Sequence, residues 1–239
     1  MNERQLSERL VRVANYVPNK AKVADIGSDH AYLPCYLCLQ SDMREAIAGE
    51  VNEGPYQSAL AQVKKVGLAD RISVRKGNGL EVIEAHEVDV ITIAGMGGSL
   101  IASILEDGKE KLTGVSRLIL QPNVSAQDIR KWLYKHEWTL LFEEILEEDE
   151  KIYEILVAEK GNDEELYNED KDRKLLLGPY LMKERNQAFR KKWKYELDNW
   201  KRILKQLEQA QKNQERDNKQ KEIESNIQMV EEVLSWEKL

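Results

Sequence analysis

Five short apolar runs alternate with stretches of helical period over residues 22–136, and that alternation leaves few folds open. The runs are Lys22–Ile26, Glu45–Val51, Arg71–Arg75, Val88–Ala94 and Arg117–Leu120. The helical stretches are Ala31–Gln40, Pro55–Val66, Ser99–Leu105 and a segment from Ser125 to about His136. Strand-length runs separated by helices imply βαβ units and a mostly parallel α/β sheet covered on both faces. Right-handed crossovers then gather the strands' C-terminal ends on one edge, where open α/β sheets bind ligands. Gly27, Glu50, Asn78 and Gly95 fall at those ends.

The flanking segments read differently. Residues 3–17 have the spacing of an amphipathic helix, with Leu6, Leu10, Val13 and Val17 on one face and Asn2 and Gln5 as a capping pair. Thr139–Leu146 and Ile152–Ala158, separated by the acidic turn Glu147–Lys151, read as an antiparallel hairpin closing the sheet. From Gly161 the composition turns rich in Lys, Glu and Gln. Trp193, Leu197, Trp200, Leu204 and Leu207 recur at spacings of four and three, as do Ile223, Ile227, Val230 and Leu234. These are coiled-coil-like seams. With a turn in the polar stretch 211–221 they predict an antiparallel helical hairpin. The expected division is a ligand-binding domain over 1–160 and a helical domain over 161–239.

Charge first argues against a nucleic-acid partner, because the chain's net charge is −7. Split by segment, residues 1–160 carry 19 Lys and Arg against 26 Asp and Glu, while 161–239 carry 17 of each. Within 183–205 nine basic residues face three acids, a local excess of +6. The average therefore hides a basic segment. The longest uncharged run, Val90–Leu105, falls short of the roughly 20 residues that span a bilayer. The segment MNERQLSERL has no signal-like apolar stretch, so the expectation is a soluble cytoplasmic protein with no membrane partner. Two cysteines, Cys35 and Cys38, make no disulfide framework or zinc pair, and packing in an apolar helix is their expected role. No metal is expected.

The first turn, Asp25-Ile26-Gly27-Ser28-Asp29-His30, differs from the dinucleotide fingerprint. Where that fingerprint needs a second glycine beside a pyrophosphate, this chain has Asp29, whose carboxylate would repel the diphosphate. A cationic ligand suits the turn better, and the sulfonium and amino groups of S-adenosylmethionine are such cations. Glu50, 25 residues after Asp25 and at the next strand end, suits the ribose hydroxyls. Asn78 and Gly79 could frame an adenine edge, and Ala94-Gly95-Met96-Gly97-Gly98 leaves room for a second substrate near the methyl group. Asp25 either touches the cofactor or fixes the turn.

Six motifs occur together: DIGSDHAYLP (Asp25–Pro34), GEVNEGPYQSA (Gly49–Ala59), GNGL (Gly77–Leu80), IAGMGG (Ile93–Gly98), LILQPN (Leu118–Asn123) and LLLGPYL (Leu175–Leu181). On these the chain resembles the TrmK family of bacterial tRNA (adenine-N1)-methyltransferases, which act at position 22. The resemblance implies a class I, Rossmann-like methyltransferase fold with a C-terminal coiled-coil-like domain. It also implies a cofactor site lined by Gly27, Asp29, His30, Glu50, Val51, Asn78, Gly79, Ala94, Gly95 and Met96. Ala-Gly-Met-Gly-Gly stands where many base-nitrogen methyltransferases carry a D/N-P-P-Y motif, so that motif identifies no base-holding residue here.

Adenine N1 has an in-plane lone pair and needs no base to remove a proton, so catalysis reduces to alignment and charge stabilisation. Asp29 is the candidate for the stabilising field, His30 and Tyr32 for orienting or stacking, and Asn123 for a hydrogen bond to the base edge. His86 and His136 read as capping or surface residues, and Trp193 and Trp200 as helical core. Arg4, Arg9 and Arg12, with Lys183, Arg185, Arg190, Lys191, Lys192 and Lys194, are the candidate tRNA-phosphate contacts. The alternative for the second set is a solvated helix face. A monomer is the expected state. Rival functions are a same-fold methyltransferase on another RNA base or a small molecule, and a non-catalytic RNA- or protein-binding adaptor.

Overall fold

The computed structural model describes residues 2–40, 45–209 and 213–236. Helix α1 (Glu8–Asn15) is shorter than the periodicity suggests. Its cap is Ser7, whose hydroxyl accepts the Leu10 N–H at 3.3 Å. Asn2 instead closes a separate turn, accepting the N–H groups of Arg4 and Gln5 at 2.9 Å each. A serine hydroxyl next to the first helical residue outcompetes the more distant Asn2 because it reaches the orphan N–H groups directly.

The alternating elements are β1 (Val23–Ile26), α2 (Tyr32–Leu39), β2 (Ala46–Glu50), α3 (Glu53–Lys65) and β3 (Ile72–Lys76). There follow β4 (Val90–Gly97), α4 (Gly98–Asp107), β5 (Arg117–Val124), α5 (Ala126–Lys135), β6 (Trp138–Glu148) and β7 (Lys151–Lys160). Their order in the sheet is β3-β2-β1-β4-β5-β7-β6. The first five strands run parallel, and β7 runs antiparallel to β5. From β1 the chain moves outward through β2 and β3, then returns to the other side of β1 as β4. The gap between the ends of β1 and β4 is therefore the topological switch point.

Strands β4 and β5 continue past the ends expected from Ala94 and Leu120. Their pairing shifts register between Ala94, Met96 and Gly97, where Gly95 has φ +82°. A glycine in that conformation admits a bulge, which bends the strand end. Asp149 and Glu150, both with positive φ, form the two-residue turn between β6 and β7.

Strands β1 and β2 are buried along their whole length. Ala46, Ala48 and Ile72 on the sheet pack with Cys35 and Cys38 of α2 and Ala59 and Val63 of α3. Burial drives the Cys35 thiol up to about 12, so it stays protonated and inert. Arg130 of α5 is fully buried and ion-paired to Glu143 of β6 and Glu154 of β7.

Two compact units are present: Met1–Glu143 with Tyr153–Asp163, and Glu144–Ile152 with Glu164–Leu239. In the second, α6 (Glu164–Tyr167), α7 (Lys171–Leu177) and α8 (Leu181–Glu184) precede α9 (Gln187–Gln209) and α10 (Gln214–Ser235). Residues 210–212, where the expected turn begins, lie outside the described residues; most of the remaining stretch to 221 is helical. Asn213 caps α10 by accepting the Arg216 N–H. The helices are antiparallel: Arg190 donates to the Leu234 carbonyl near one end, and Arg216 to the Leu207 carbonyl near the other. Trp193 and Leu197 pack with Val230, Val233, Phe189, Leu177 and Leu181. Val233 is fully buried and Leu234 only partly so, a one-residue rotation from the expected seam.

Candidate cofactor and substrate site

The strand-end acids come together at the switch point of the first unit. Asp25, next to last in β1, is only 4% exposed, with one carboxylate oxygen accepting Ser28 Oγ at 2.6 Å and the other Thr92 Oγ1 at 2.7 Å. Burial pushes its carboxyl up, against the opposing pull of those two hydroxyls and of Arg9. With both oxygens engaged by the protein, Asp25 ties the turn to β4. Of the two readings open in the sequence, its bonds fit turn-fixing.

Gly27 follows with φ +70°. A Cβ there would stand 2.1 Å from Met96 Cε, so the end of the Met96 side chain would have to shift to admit it, and the positive φ itself favours glycine. Asp29, His30 and Ala31 all have positive φ, leading into α2. Three successive L-residues in that region cost roughly 1–2 kcal/mol each, a strain found chiefly where function requires it. Glu50 helps hold the run: its Oε1 accepts the Asp29 N–H at 2.6 Å. Glu50 is 6% exposed, and its Oε2 has no partner among the described residues. Burial raises its carboxyl above the usual range, the Asp29 N–H pulls it back, and the nearby Asp25 and Asp29 charges push it further up.

Beyond Glu50, Val51 leaves its apolar side chain 54% exposed. Asn78 and Gly79, at the end of β3, line a shallow pocket with Leu80, Glu81, Ile104, Asp107 and Gly108. The Asp29 carboxylate is largely in solvent, 3.6 Å from His30 Nε2, and the His30 ring stacks on Tyr32 with centroids 5.3 Å apart. Asp29, His30 and Tyr32 thus form one group.

Asn123 lies elsewhere, across the bulge. Its Nδ2 donates to the Gly95 carbonyl at 2.8 Å, and its Oδ1 receives only a long 3.4 Å contact from Gln121 Nε2. Gln121 is fully buried and had no role in the sequence reading. Its Oε1 accepts both the Gly95 N–H, at 3.0 Å, and Arg9 Nη1, while its Nε2 donates to the Pro122 carbonyl. Ser28, Thr92 and Gln121 were the residues missed. Thr92 and Gln121 were visible as lone polar side chains in or just after apolar runs, a pattern that marks buried hydrogen bonding.

The expected phosphate contacts divide. Arg9 lies beside the site, bonded to Gln121 and 5.1 Å from the Tyr153 ring, and is not on a free basic face. Arg185 corrects the expectation: it is 4% exposed, donates to the Met182 carbonyl and lies against Trp236, buried because it ends α8 under the helical core. Arg4, Lys183, Lys191 and Lys194 are exposed, Lys191 beside Glu147. Arg12 pairs with Glu8, Arg190 with the Leu234 carbonyl, and Lys192 covers the Trp193 ring. Among the described residues no group of three His, Cys, Asp or Glu could hold a metal, and no helix is long and apolar enough to cross a membrane.

Residues 23–232 match the sequence family described as tRNA (adenine(22)-N(1))-methyltransferase, TrmK. The Bacillus subtilis (strain 168) tRNA (adenine(22)-N(1))-methyltransferase is 53% identical over 235 residues, covering 98% of this chain and 99% of that protein. The crystal structure of the B. subtilis M1A22 tRNA methyltransferase superposes with a TM-score of 0.92 at 52% identity, over 97% of this chain and 100% of the other. Streptococcus pneumoniae Sp1610 in complex with S-adenosyl-L-methionine gives 0.79 at 43% identity, over 96% and 100%.

Proposed function

The chain belongs to the tRNA (adenine(22)-N(1))-methyltransferase family, and from that premise we propose how its residues carry the reaction. The protein is an S-adenosylmethionine-dependent methyltransferase acting on N1 of adenosine 22 in tRNA. The observation that carries the reading of the site is the pair Gly27 and Glu50. One turn has the positive φ that favours glycine, and beside it a buried carboxylate keeps an oxygen without a partner among the described residues. That combination suits a nucleoside whose ribose hydroxyls donate to Glu50 Oε2, and the surrounding acids suit a ligand bearing cations. Bound S-adenosylmethionine supplies an electrophilic methyl group on a positively charged sulfur.

The protein's own tasks follow from the target. N1 attacks with a lone pair already free, so none of His30, Asp29 or Tyr32 has to remove a proton. Alignment is the main contribution, worth up to about 7–11 kcal/mol in well-oriented systems. The methylated base is cationic, and the exposed Asp29 carboxylate is placed to stabilise that charge. Asn123 is held through its Nδ2, leaving Oδ1 to accept a hydrogen bond from the adenine amino group. N1 lies on the Watson–Crick edge, so the base must leave any pair or stack, at a few kcal/mol. We assign the offsetting phosphate contacts to exposed cations of α9, Lys191 and Lys194 among them, with Lys183 and Arg4 as further contacts. The absence of a membrane-crossing helix among the described residues and the tRNA substrate support action in the cytoplasm.

Calorimetry with S-adenosylmethionine and with NAD, followed by nucleoside mass spectrometry of treated unmodified tRNA, tests this function. Binding of the first ligand alone and appearance of 1-methyladenosine are expected. NAD binding, or tRNA without 1-methyladenosine, would refute it.

A further inference from the structure

Three glycines at the ends of β1 and β4 are required by the fold. Gly27 and Gly95 have φ of +70° and +82°, which favour glycine. A Cβ on Gly98 would stand 2.1 Å from the Ser125 carbonyl oxygen, a backbone atom that cannot swing aside. Gly97 is different. Its φ of −72° and ψ of 145° suit ordinary L-residues, and a Cβ there would meet Val124 Cγ2 at 3.9 Å, a normal contact. It is also the N-cap of α4, a helix that starts without a side-chain cap. Serine, aspartate or asparagine there would satisfy an orphan N–H group, so conformation, packing and capping all admit a side chain. Resting on the substrate reading above, we propose that Gly97 is the open floor of an aliphatic slot, walled by Leu100 and Val124, that receives the flat face of the target adenine.

The walls follow from local geometry. Gly97 and Val124 are the last pair of the β4–β5 ladder. Leu100 is the third residue of α4, and an N-cap faces the third helical residue, as in a capping box. Val124 and Leu100 therefore border the space above Gly97. Their apolar side chains are 64% and 54% exposed. Val51, exposed in the same way, follows Glu50 on the nucleoside side of the edge, whereas Val124 and Leu100 stand at β5 and α4.

The chemistry of the slot selects one part of a tRNA. Gly97, Leu100 and Val124 offer no cation to a phosphate, and the Asp128 carboxylate, which accepts Ser99 Oγ at the start of α4, would repel one. A purine face is flat and uncharged, and it loses its stacking when the base leaves the helix. Aliphatic contact offsets part of that loss. The place is also right, because Gly97 directly follows Met96, whose Cε lies against Gly27 of the cofactor turn. A base above Gly97 stands next to the methyl donor.

The test uses the full-length protein and unmodified tRNA. G97S is expected to unfold in urea no earlier than wild type and to bind S-adenosylmethionine and tRNA as wild type does, since phosphate contacts dominate RNA affinity. Its methylation rate is expected to fall roughly ten- to a hundredfold, the scale of a misplacement near 1 Å. V124A and L100A are each expected to lower kcat/KM for tRNA by roughly three- to tenfold through lost apolar contact. With 2-aminopurine at position 22 of the tRNA, V124W is expected to quench the fluorescence of the bound base relative to wild type. G97S with full activity would overturn the proposal, and so would earlier unfolding of G97S, which would make the glycine a requirement of the fold. Loss of S-adenosylmethionine affinity matching the loss of rate would assign Gly97 to the cofactor and overturn it too. Equal 2-aminopurine fluorescence in V124W and wild type would show that the base lies elsewhere. Failure of wild type to form 1-methyladenosine would instead refute the underlying substrate reading.

Discussion

Replacing Glu50 with Gln should move binding and stability in opposite directions. Glutamine keeps a carbonyl oxygen for the Asp29 N–H, now accepted at 2.6 Å, so the strained turn keeps its anchor. It loses the ionised oxygen offered to the ribose. A hydrogen bond to a charged group contributes about 1.5–3 kcal/mol, so affinity for S-adenosylmethionine should fall roughly ten- to 150-fold. Stability follows the linkage in the other direction. Burial raises the Glu50 carboxyl above its ordinary value of 4.5, so ionisation opposes folding. Any stability tied to that raised value is complete below the unfolded value and is lost as pH rises through the folded one. E50Q should therefore match wild type near pH 4 and exceed it at pH 8 in urea denaturation. Calorimetry across a pH series should show wild-type affinity rising as Glu50 ionises, with a flatter profile for E50Q. An E50Q protein less stable than wild type at pH 8, yet binding cofactor equally well, would refute the reasoning.

Three other substitutions probe separate parts of the account. G27A should cost about 1–2 kcal/mol in urea unfolding because of its φ of +70°, and G27A/M96A should recover the steric part only; unchanged stability in G27A would contradict the turn geometry. R130M should cost about 3–5 kcal/mol by leaving the Glu143 and Glu154 carboxylates buried and unmatched, while R130M/E143L/E154L should restore most of that loss. A mild R130M phenotype would show that the pair is not buried in solution. K194E should weaken tRNA binding and lower the slope of log affinity against log salt by about one, measured by filter binding; an unchanged slope would make this face of α9 a solvated surface.

The alternation of parallel strands with helices and the ligand edge were legible because a parallel sheet leaves two local signatures, buried apolar runs and special residues at their ends. Gly27, Glu50 and Gly95 could be named from position alone. Bonds between distant segments could not. For Asp25 the sequence leaves ligand contact and turn-fixing equally open, because the hydroxyls that engage its two oxygens include Thr92, 67 residues away. Arg9 lies 112 residues from Gln121, so its place beside the site had no local trace, and its basic neighbours made it look like a phosphate contact. Arg185 misled for a related reason: a charge-based reading treats all cations as exposed, whereas a long side chain at a helix end can be drawn under a core. The helical hairpin was legible from its seams. The short helices α6 to α8 were not, because four to seven residues carry too little periodicity.

The central claim is that this chain methylates N1 of adenosine 22 in tRNA. It is tested most directly by incubating the protein with methyl-labelled S-adenosylmethionine and two unmodified tRNA transcripts that differ only in adenosine or guanosine at position 22. Label in the adenosine-22 transcript, recovered as 1-methyladenosine and mapped to that nucleotide, is the expected result, with none in the guanosine-22 transcript. Equal labelling of both transcripts, or label recovered in any other nucleoside, would contradict it.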